Sequence, residues 1–131
     1  VGQPDAHSGE LPVAYVERVE GATATEDELL EFCRARIAER AALPKRVEIL
    51  DELPKTAVGK IFKPDLRRRA IRHVYDAALA EAGIPARVAD VEEDRKLGLV
   101  ARLERTGAVE EAAVRETLGA YTSPWTWADD G

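Results

Sequence analysis

The chain has 131 residues, of which 45% are apolar, 5% aromatic and 34% charged, and its formal net charge is −6. This length fits one domain with a modest aliphatic core. The acidic balance lacks the basic footprint of a nucleic-acid-binding protein and argues against general attraction to anionic membranes. No apolar run is long enough to cross a bilayer. We therefore expect no nucleic-acid partner and no membrane span.

The numbers of cysteine and methionine residues indicate the cellular compartment of the protein and whether the sequence is a fragment. Cys33 is the single cysteine, which excludes an internal disulfide and suits a reducing cytoplasm. The N-terminus lacks the basic, apolar and small-residue succession of a signal peptide, so we expect a cytoplasmic protein. The sequence contains no methionine, and Val1-Gly2 has the character of a strand end. We therefore expect a fragment of a longer polypeptide.

The first half of the chain predicts the order strand, helix, strand. Pro4 to Gly9 is typical of a polar loop, and Glu10 to Val19 alternates as a strand does. Thr25, with Glu28 three residues on, has the pattern of a capping box and predicts a helix start. Val47 to Leu50 predicts the second strand, and this order favours parallel pairing. The helix carries an apolar stripe formed by Leu29, Leu30, Cys33 and Ile37.

The second helix has clear start and stop signals. Pro64 suits its first turn, and Gly83 followed by Pro85 suits its end. Its expected apolar stripe consists of Leu66, Ala70, Val74, Ala77 and Ala78. Arginines cluster near its start, where the helix dipole gives no advantage to cations. We consider three roles for this cluster: contacts to another domain, attraction of phosphates, or simple solvation.

The last third predicts a hairpin, a helix and a strand. Arg87 to Leu103 reads as two strands around a polar connection, and Val109 to Tyr121 reads as a helix. Ser123 to Trp127 predicts a final edge strand, whose two tryptophans we expect on opposite faces with at least one buried. The expected fold class is mixed α/β: a small mixed sheet with helices packed on it, followed by a hairpin, helix and strand extension.

The most informative segment is the turn formed by residues 54–60, Pro-Lys-Thr-Ala-Val-Gly-Lys. Gly59 allows the backbone to bend or to approach a ligand where a Cβ would clash, and Pro54 restricts where the turn begins. The turn presents Lys60, whose compact ammonium on a flexible stem can reach several oxygens at once. Taken alone, the segment is also compatible with an ordinary loop carrying an exposed lysine.

The segments around this turn resemble a known family. The run from Leu53 to Arg67, the opening Val1 to Asp5 and the stretch from Gly9 to Val16 are similar to the C-terminal lid domain of adenylate-forming acyl-CoA synthetases. The resemblance is continuous to about Arg72, and the tail is similar to the extension of some bacterial fatty-acyl-CoA synthases. It implies a partial lid domain over residues 1–85 and an extension over residues 86–131.

The resemblance implies roles for named residues. Lys60 would contact the substrate carboxylate and the phosphate oxygens of ATP during adenylation, with Gly59 and Thr56 as further candidate binding residues in the turn. Arg36 would contact a phosphate of CoA, since a guanidinium matches phosphate oxygens; a solvated helix face is the alternative. His7 and His73 have no carboxylate or cysteine at ligand spacing, so we expect no metal site.

The resemblance also implies partners. A large N-terminal adenylation domain of the same polypeptide would bind ATP with Mg²⁺ and the carboxylic acid, and the lid would swing on a hinge before CoA attacks. The chain alone is expected to be inactive and to bind no cofactor. Alternatives are the lid of an acyl-AMP ligase or of a carrier-loading enzyme, and a non-catalytic interaction or regulatory module. A sheet without its first strand exposes an edge, so we also expect a possible homodimer.

Overall fold

The computed structural model describes residues 1–128. In that range the strands form three small sheets: β1 with β2, β3 with β4, and β5 with β6 and β7. The mixed α/β class is thus confirmed, although the strands are divided among three sheets where we expected one. The elements, with a 3-10 turn at Arg40–Ala42, are β1 (Gly2–Asp5), β2 (Gly9–Pro12), β3 (Ala14–Glu17), α1 (Glu26–Arg36), β4 (Val47–Leu50), α2 (Lys63–Glu81), β5 (Ala86–Asp94), β6 (Gly98–Arg105), α3 (Glu111–Leu118) and β7 (Trp125–Trp127).

The chain forms two compact units. The first contains Val1–Gln3 and Leu11–Arg67, and the second contains Pro4–Glu10 and the chain from Arg68 onward. No helix within residues 1–128 is long and apolar enough to cross a membrane.

The predicted strand from Glu10 to Val19 is divided in two. β2 ends at Pro12 and β3 begins at Ala14, because proline has no N–H to continue a ladder. The Pro12 carbonyl accepts instead from the Lys45 N–H at 2.7 Å, and the Val13 N–H donates to the Val1 carbonyl at 2.8 Å. β1 also reaches Asp5, so the predicted loop at Pro4 to Gly9 is shorter than we expected.

The first unit contains the predicted parallel pair. β3 and β4 pair in parallel from Ala14 opposite Val47 to Glu17 opposite Leu50. The Thr25 hydroxyl caps α1 by accepting from the Glu28 N–H at 3.2 Å, as predicted. Glu26 ties the helix start to β4, because its carboxylate accepts from the Ile49 N–H at 2.7 Å. The predicted stripe of α1 is only half-buried, Cys33 included.

Arg46 connects three strands of the first unit. Its guanidinium donates to the side chains of Gln3, Glu48 and Tyr15 at 3.1, 2.9 and 3.0 Å. These partners come from the first, fourth and third strands of the chain. A planar guanidinium with five donors suits such a three-way contact.

The core of the second unit is formed by α2, α3 and the three-stranded sheet. Its largest fully buried side chains are Tyr75, Leu79, Leu103, Leu118 and Val114. On α2 the buried face differs from the predicted stripe, because Ala77 is exposed and Ile71 and Tyr75 are buried. Tyr75 is tolerated there because its hydroxyl donates to the Ser123 carbonyl at 2.6 Å.

Residues 86–127 have the predicted order of hairpin, helix and strand. β5 and β6 form the antiparallel hairpin, and β7 pairs with β6 in parallel at the edge of the sheet. The expectation that Trp125 and Trp127 point to opposite faces was wrong. Side chains two residues apart lie on the same face of a strand, and these rings meet edge to face with centroids 5.5 Å apart. Trp127 is 4% exposed, which confirms that one of them is buried.

Candidate functional site

Lys60 lies in a short closed hairpin that follows β4. The Thr56 N–H donates to the Lys60 carbonyl at 2.7 Å, and the Lys60 N–H donates to the Thr56 hydroxyl at 3.2 Å. Both backbone groups of Lys60 are therefore bonded to one residue. The base of the hairpin is closed by the Lys55–Ile61 bridge and by the Phe62 N–H, which donates to the Pro54 carbonyl at 2.8 Å.

Gly59 makes the bend possible. Its φ is +83°, and its N–H donates to the Thr56 carbonyl at 3.0 Å. This geometry matches a three-residue hairpin loop in which a tight turn is followed by a left-handed residue. Thr56, Gly59 and Lys60 therefore lie in one loop, and their roles in catalysis and binding stay predictions. Thr56 and Gly59 act here on the shape of the loop.

The residues beside Lys60 present both charge and apolar surface. Lys60 is exposed. Val58, at the tip of the loop, is 81% exposed, and Ile61 and Phe62 are 48% and 37% exposed. An ammonium flanked by exposed apolar side chains suits a segment that enters a partly apolar site on another surface.

Glu17 holds the entry to the hairpin, and the sequence analysis missed this residue. Its carboxylate accepts from the Leu53 N–H at 2.8 Å and pairs with the Lys55 ammonium at 3.4 Å. The Leu53 N–H, followed by Lys55, holds the pKa of Glu17 below its ordinary value. The signal available in the sequence was a carboxylate at the end of the strand that pairs with β4.

Arg36 lies elsewhere in the first unit, in the last turn of α1. Its guanidinium carbon is 4.4 Å from the centroid of the Phe32 ring. Phe32 is 57% exposed, so this stack is on the surface. A stacked guanidinium keeps its edge N–H groups available to an anion.

The arginine cluster near the start of α2 is not uniformly solvated. Arg72, in the second unit, donates to the Ala89 carbonyl at 2.9 Å, which ties the helix to β5. Arg67 is exposed. Among residues 1–128 no group of three or more histidine, cysteine, aspartate or glutamate side chains is arranged to hold a metal ion.

The comparisons with known proteins show similarity to AMP-binding enzymes and to acid–CoA ligases. Residues 1–60 match the family of the AMP-binding enzyme C-terminal domain. Marinolic acid–CoA ligase of Pseudoalteromonas sp. is 52% identical over 71 residues, which are 54% of this chain and 11% of that protein. Indoleacetate–CoA ligase of Aromatoleum aromaticum is 44% identical over 75 residues, which are 57% of this chain and 14% of that protein.

A solved structure, apo MatB from Rhodopseudomonas palustris, is 36% identical, covers 51% of this chain and 13% of that chain, and has a TM-score of 0.47. The chain spans between 11% and 14% of the length of the two ligases it matches. The match to the AMP-binding enzyme C-terminal domain family covers the part of the chain that ends at Lys60.

Proposed function

We propose that this chain is the C-terminal lid of an ATP-dependent acyl-CoA synthetase that acts on fatty or other hydrophobic carboxylic acids. The observation that carries the proposal is the closed hairpin that holds Lys60 exposed between exposed apolar side chains. The names of the two similar ligases described above indicate that each joins a carboxylic acid to CoA. A large N-terminal domain of the same polypeptide is the proposed partner of this lid, and residues 86–131 are the proposed extension.

In the first half-reaction a carboxylate oxygen attacks the α-phosphorus of ATP. The bond from that phosphorus to the oxygen that bridges to the β-phosphate breaks, and pyrophosphate leaves. Two anions approach each other in this step, so a fixed cation lowers the barrier. At about 4 Å and an effective dielectric near 20, one charge pair contributes about 4 kcal/mol, which corresponds to several hundred-fold or more in rate.

We assign the cation to Lys60. Thr56 and Gly59 hold its backbone in place, since positioning a charged group is itself a large part of such catalysis. Mg²⁺ would accompany ATP, mainly on the large domain.

In the second half-reaction the CoA thiolate attacks the acyl carbonyl carbon, and AMP leaves with the bonding electrons. The lid swings between the two steps, which withdraws Lys60 from the site. Arg36 is the proposed contact for a phosphate of CoA, with Phe32 supporting its guanidinium from one face. The fork of an arginine pairs well with phosphate oxygens.

The test is an assay of the full-length protein with ATP, Mg²⁺ and a series of carboxylic acids of increasing chain length. We expect acid-dependent release of AMP and pyrophosphate, and a thioester when CoA is added. An acyl adenylate that accumulates and is not converted by CoA would instead indicate an acyl-AMP ligase. The absence of acid-dependent AMP release with every acid would refute the proposal.

A further inference from the structure

Glu17 links two parts of the first unit that the β-ladder leaves unconnected. The parallel register of β3 and β4 ends where Glu17 faces Leu50. Beyond Leu50 the chain continues as an irregular segment toward the Lys60 hairpin. Leu53 lies in that segment, and its N–H finds its acceptor in the Glu17 carboxylate at 2.8 Å. The side chain of Glu17 therefore extends the contact between the two strands by three residues.

The contact lies at the base of the hairpin. Leu53 precedes Pro54, whose carbonyl accepts the Phe62 N–H, and Lys55 is bridged to Ile61. The same Glu17 oxygen also approaches the Lys55 ammonium at 3.4 Å. Fixing Leu53 and Lys55 fixes one strand of the hairpin, and the cross-strand bonds transmit that constraint to Lys60.

We propose that Glu17 is a positioning residue, which sets where the hairpin presents Lys60 and so controls adenylation. This inference rests on the proposed function. Glu17 would contact neither ATP nor the acid, because its carboxylate is engaged by Leu53 and Lys55. Displacing a catalytic group by about 1 Å can lower a rate by up to about a hundredfold.

The two contacts of Glu17 differ in weight. The Lys55 pair is partly exposed, and exposed ion pairs of this kind contribute little. The bond from the Leu53 N–H to a carboxylate is charge-assisted and is the stronger restraint. Glutamine keeps an oxygen acceptor for the Leu53 N–H but has no charge. Glu17→Gln therefore removes the ion pair with Lys55 and weakens the Leu53 bond, whereas Glu17→Ala removes both contacts.

The experiment measures both half-reactions of the full-length protein for Glu17→Ala, Glu17→Gln and a control, Glu20→Ala. Glu20 is exposed just beyond the same strand. We expect Glu17→Ala to lower acid-dependent pyrophosphate exchange about tenfold, the scale of one hydrogen bond to a charged group, mainly in kcat. Glu17→Gln should retain most of the rate, and Glu20→Ala all of it. Thioester formation from supplied acyl adenylate should stay within about twofold, because Lys60 acts only in the first step.

Hydrogen exchange gives an independent readout of the same contact. The Leu53 amide and the amides of residues 55–62 should exchange faster in Glu17→Ala than in Glu17→Gln, because the restraint at the hairpin base is lost. If the amide hydrogens of this segment exchange at the wild-type rate in Glu17→Ala, Glu17 does not restrain the base of the hairpin. Equal losses in both half-reactions would also overturn the proposal, since they would indicate general destabilisation.

A Lys60→Ala variant, assayed alongside, separates this inference from the proposed function. If Lys60→Ala abolishes pyrophosphate exchange while Glu17→Ala leaves it unchanged, the positioning role of Glu17 is refuted and the proposed function stands. If Lys60→Ala leaves exchange intact, the proposed function fails and the positioning role fails with it.

Discussion

Replacing Gly59 with alanine separates the shape of the hairpin from its charge. The φ of Gly59 is +83°, and a Cβ built there meets no atom within 4 Å. The substitution therefore adds no clash, and its cost is the backbone preference of an L-residue against the left-handed region, about 1–2 kcal/mol. This strain lowers stability and also favours other shapes of the hairpin, in which Lys60 is displaced.

Gly98 offers a matched control in the second unit. It ends the turn between β5 and β6 with a φ of +78°, and a Cβ built there also meets nothing within 4 Å. Gly98→Ala should lower the free energy of unfolding by a similar amount, about 1–2 kcal/mol. Because its hairpin lies away from Lys60 in sequence and in unit, it should leave adenylation unchanged.

The assays are urea denaturation of each variant and pyrophosphate exchange in the full-length protein. We expect both alanine variants to lower the urea midpoint by roughly 0.5–1 M, given typical slopes for small domains, and only Gly59→Ala to slow exchange. Gly59→Asn should recover part of both losses, since asparagine tolerates positive φ better than alanine. Two results would refute this reasoning. One is that Gly59→Ala and Gly98→Ala change the rate of pyrophosphate exchange equally, and the other is that neither variant lowers the urea midpoint.

Three further predictions concern stability and assembly. Arg46→Leu removes three hydrogen bonds within the first unit and should lower the free energy of unfolding by about 2–3 kcal/mol in denaturation experiments; Arg46→Lys should recover only part, because an ammonium cannot form the same fork. Burial raises the pKa of Tyr75 from 10.0 to about 12. The unfolded chain therefore releases this proton first, and stability should fall as pH rises from 10 toward 12. Tyr75→Phe should show a shallower decline over this range and should lose about 1 kcal/mol at neutral pH with its bond to Ser123. β7 is the edge strand of its sheet among the described residues, and an edge strand can pair with a second copy of the chain. Light scattering should therefore show a concentration-dependent increase in mass, and a constant monomer mass would contradict this expectation.

The features predicted correctly depend on short-range signals. Thr25 and Glu28 marked the start of α1 because a capping contact involves residues three apart. Gly83 marked the end of α2, where its φ is +72° and the Ile84 N–H reaches back to the Leu79 carbonyl. The Lys60 hairpin was predictable for the same reason, since Thr56, Gly59 and Lys60 are close in sequence.

The features that the sequence analysis missed depend on contacts between residues distant in sequence, or on side chains that have both an apolar and a polar part. Glu17 is 36 residues from Leu53, and its position at the end of a predicted strand does not by itself identify which residue its carboxylate contacts. Tyr75 was left out of the predicted stripe of α2 although it is fully buried, because a hydroxyl can be buried only where a partner such as the Ser123 carbonyl lies within reach. The tryptophans of β7 are different: the period of a strand placed them on one face, and the sequence interpretation misapplied it.

The central claim is that Lys60 supplies the cation for adenylation, and the most direct test compares Lys60→Ala with Lys45→Ala in the full-length protein. Lys45 is an exposed lysine of the same unit, outside the hairpin, so the control removes one charge without touching the proposed site. We predict that Lys60→Ala lowers acid-dependent pyrophosphate exchange by several hundred-fold or more, on the scale of about 4 kcal/mol. Thioester formation from supplied acyl adenylate should remain near its normal rate in both variants. If Lys60→Ala catalyses acid-dependent pyrophosphate exchange at the same rate as Lys45→Ala, Lys60 does not supply the cation for adenylation.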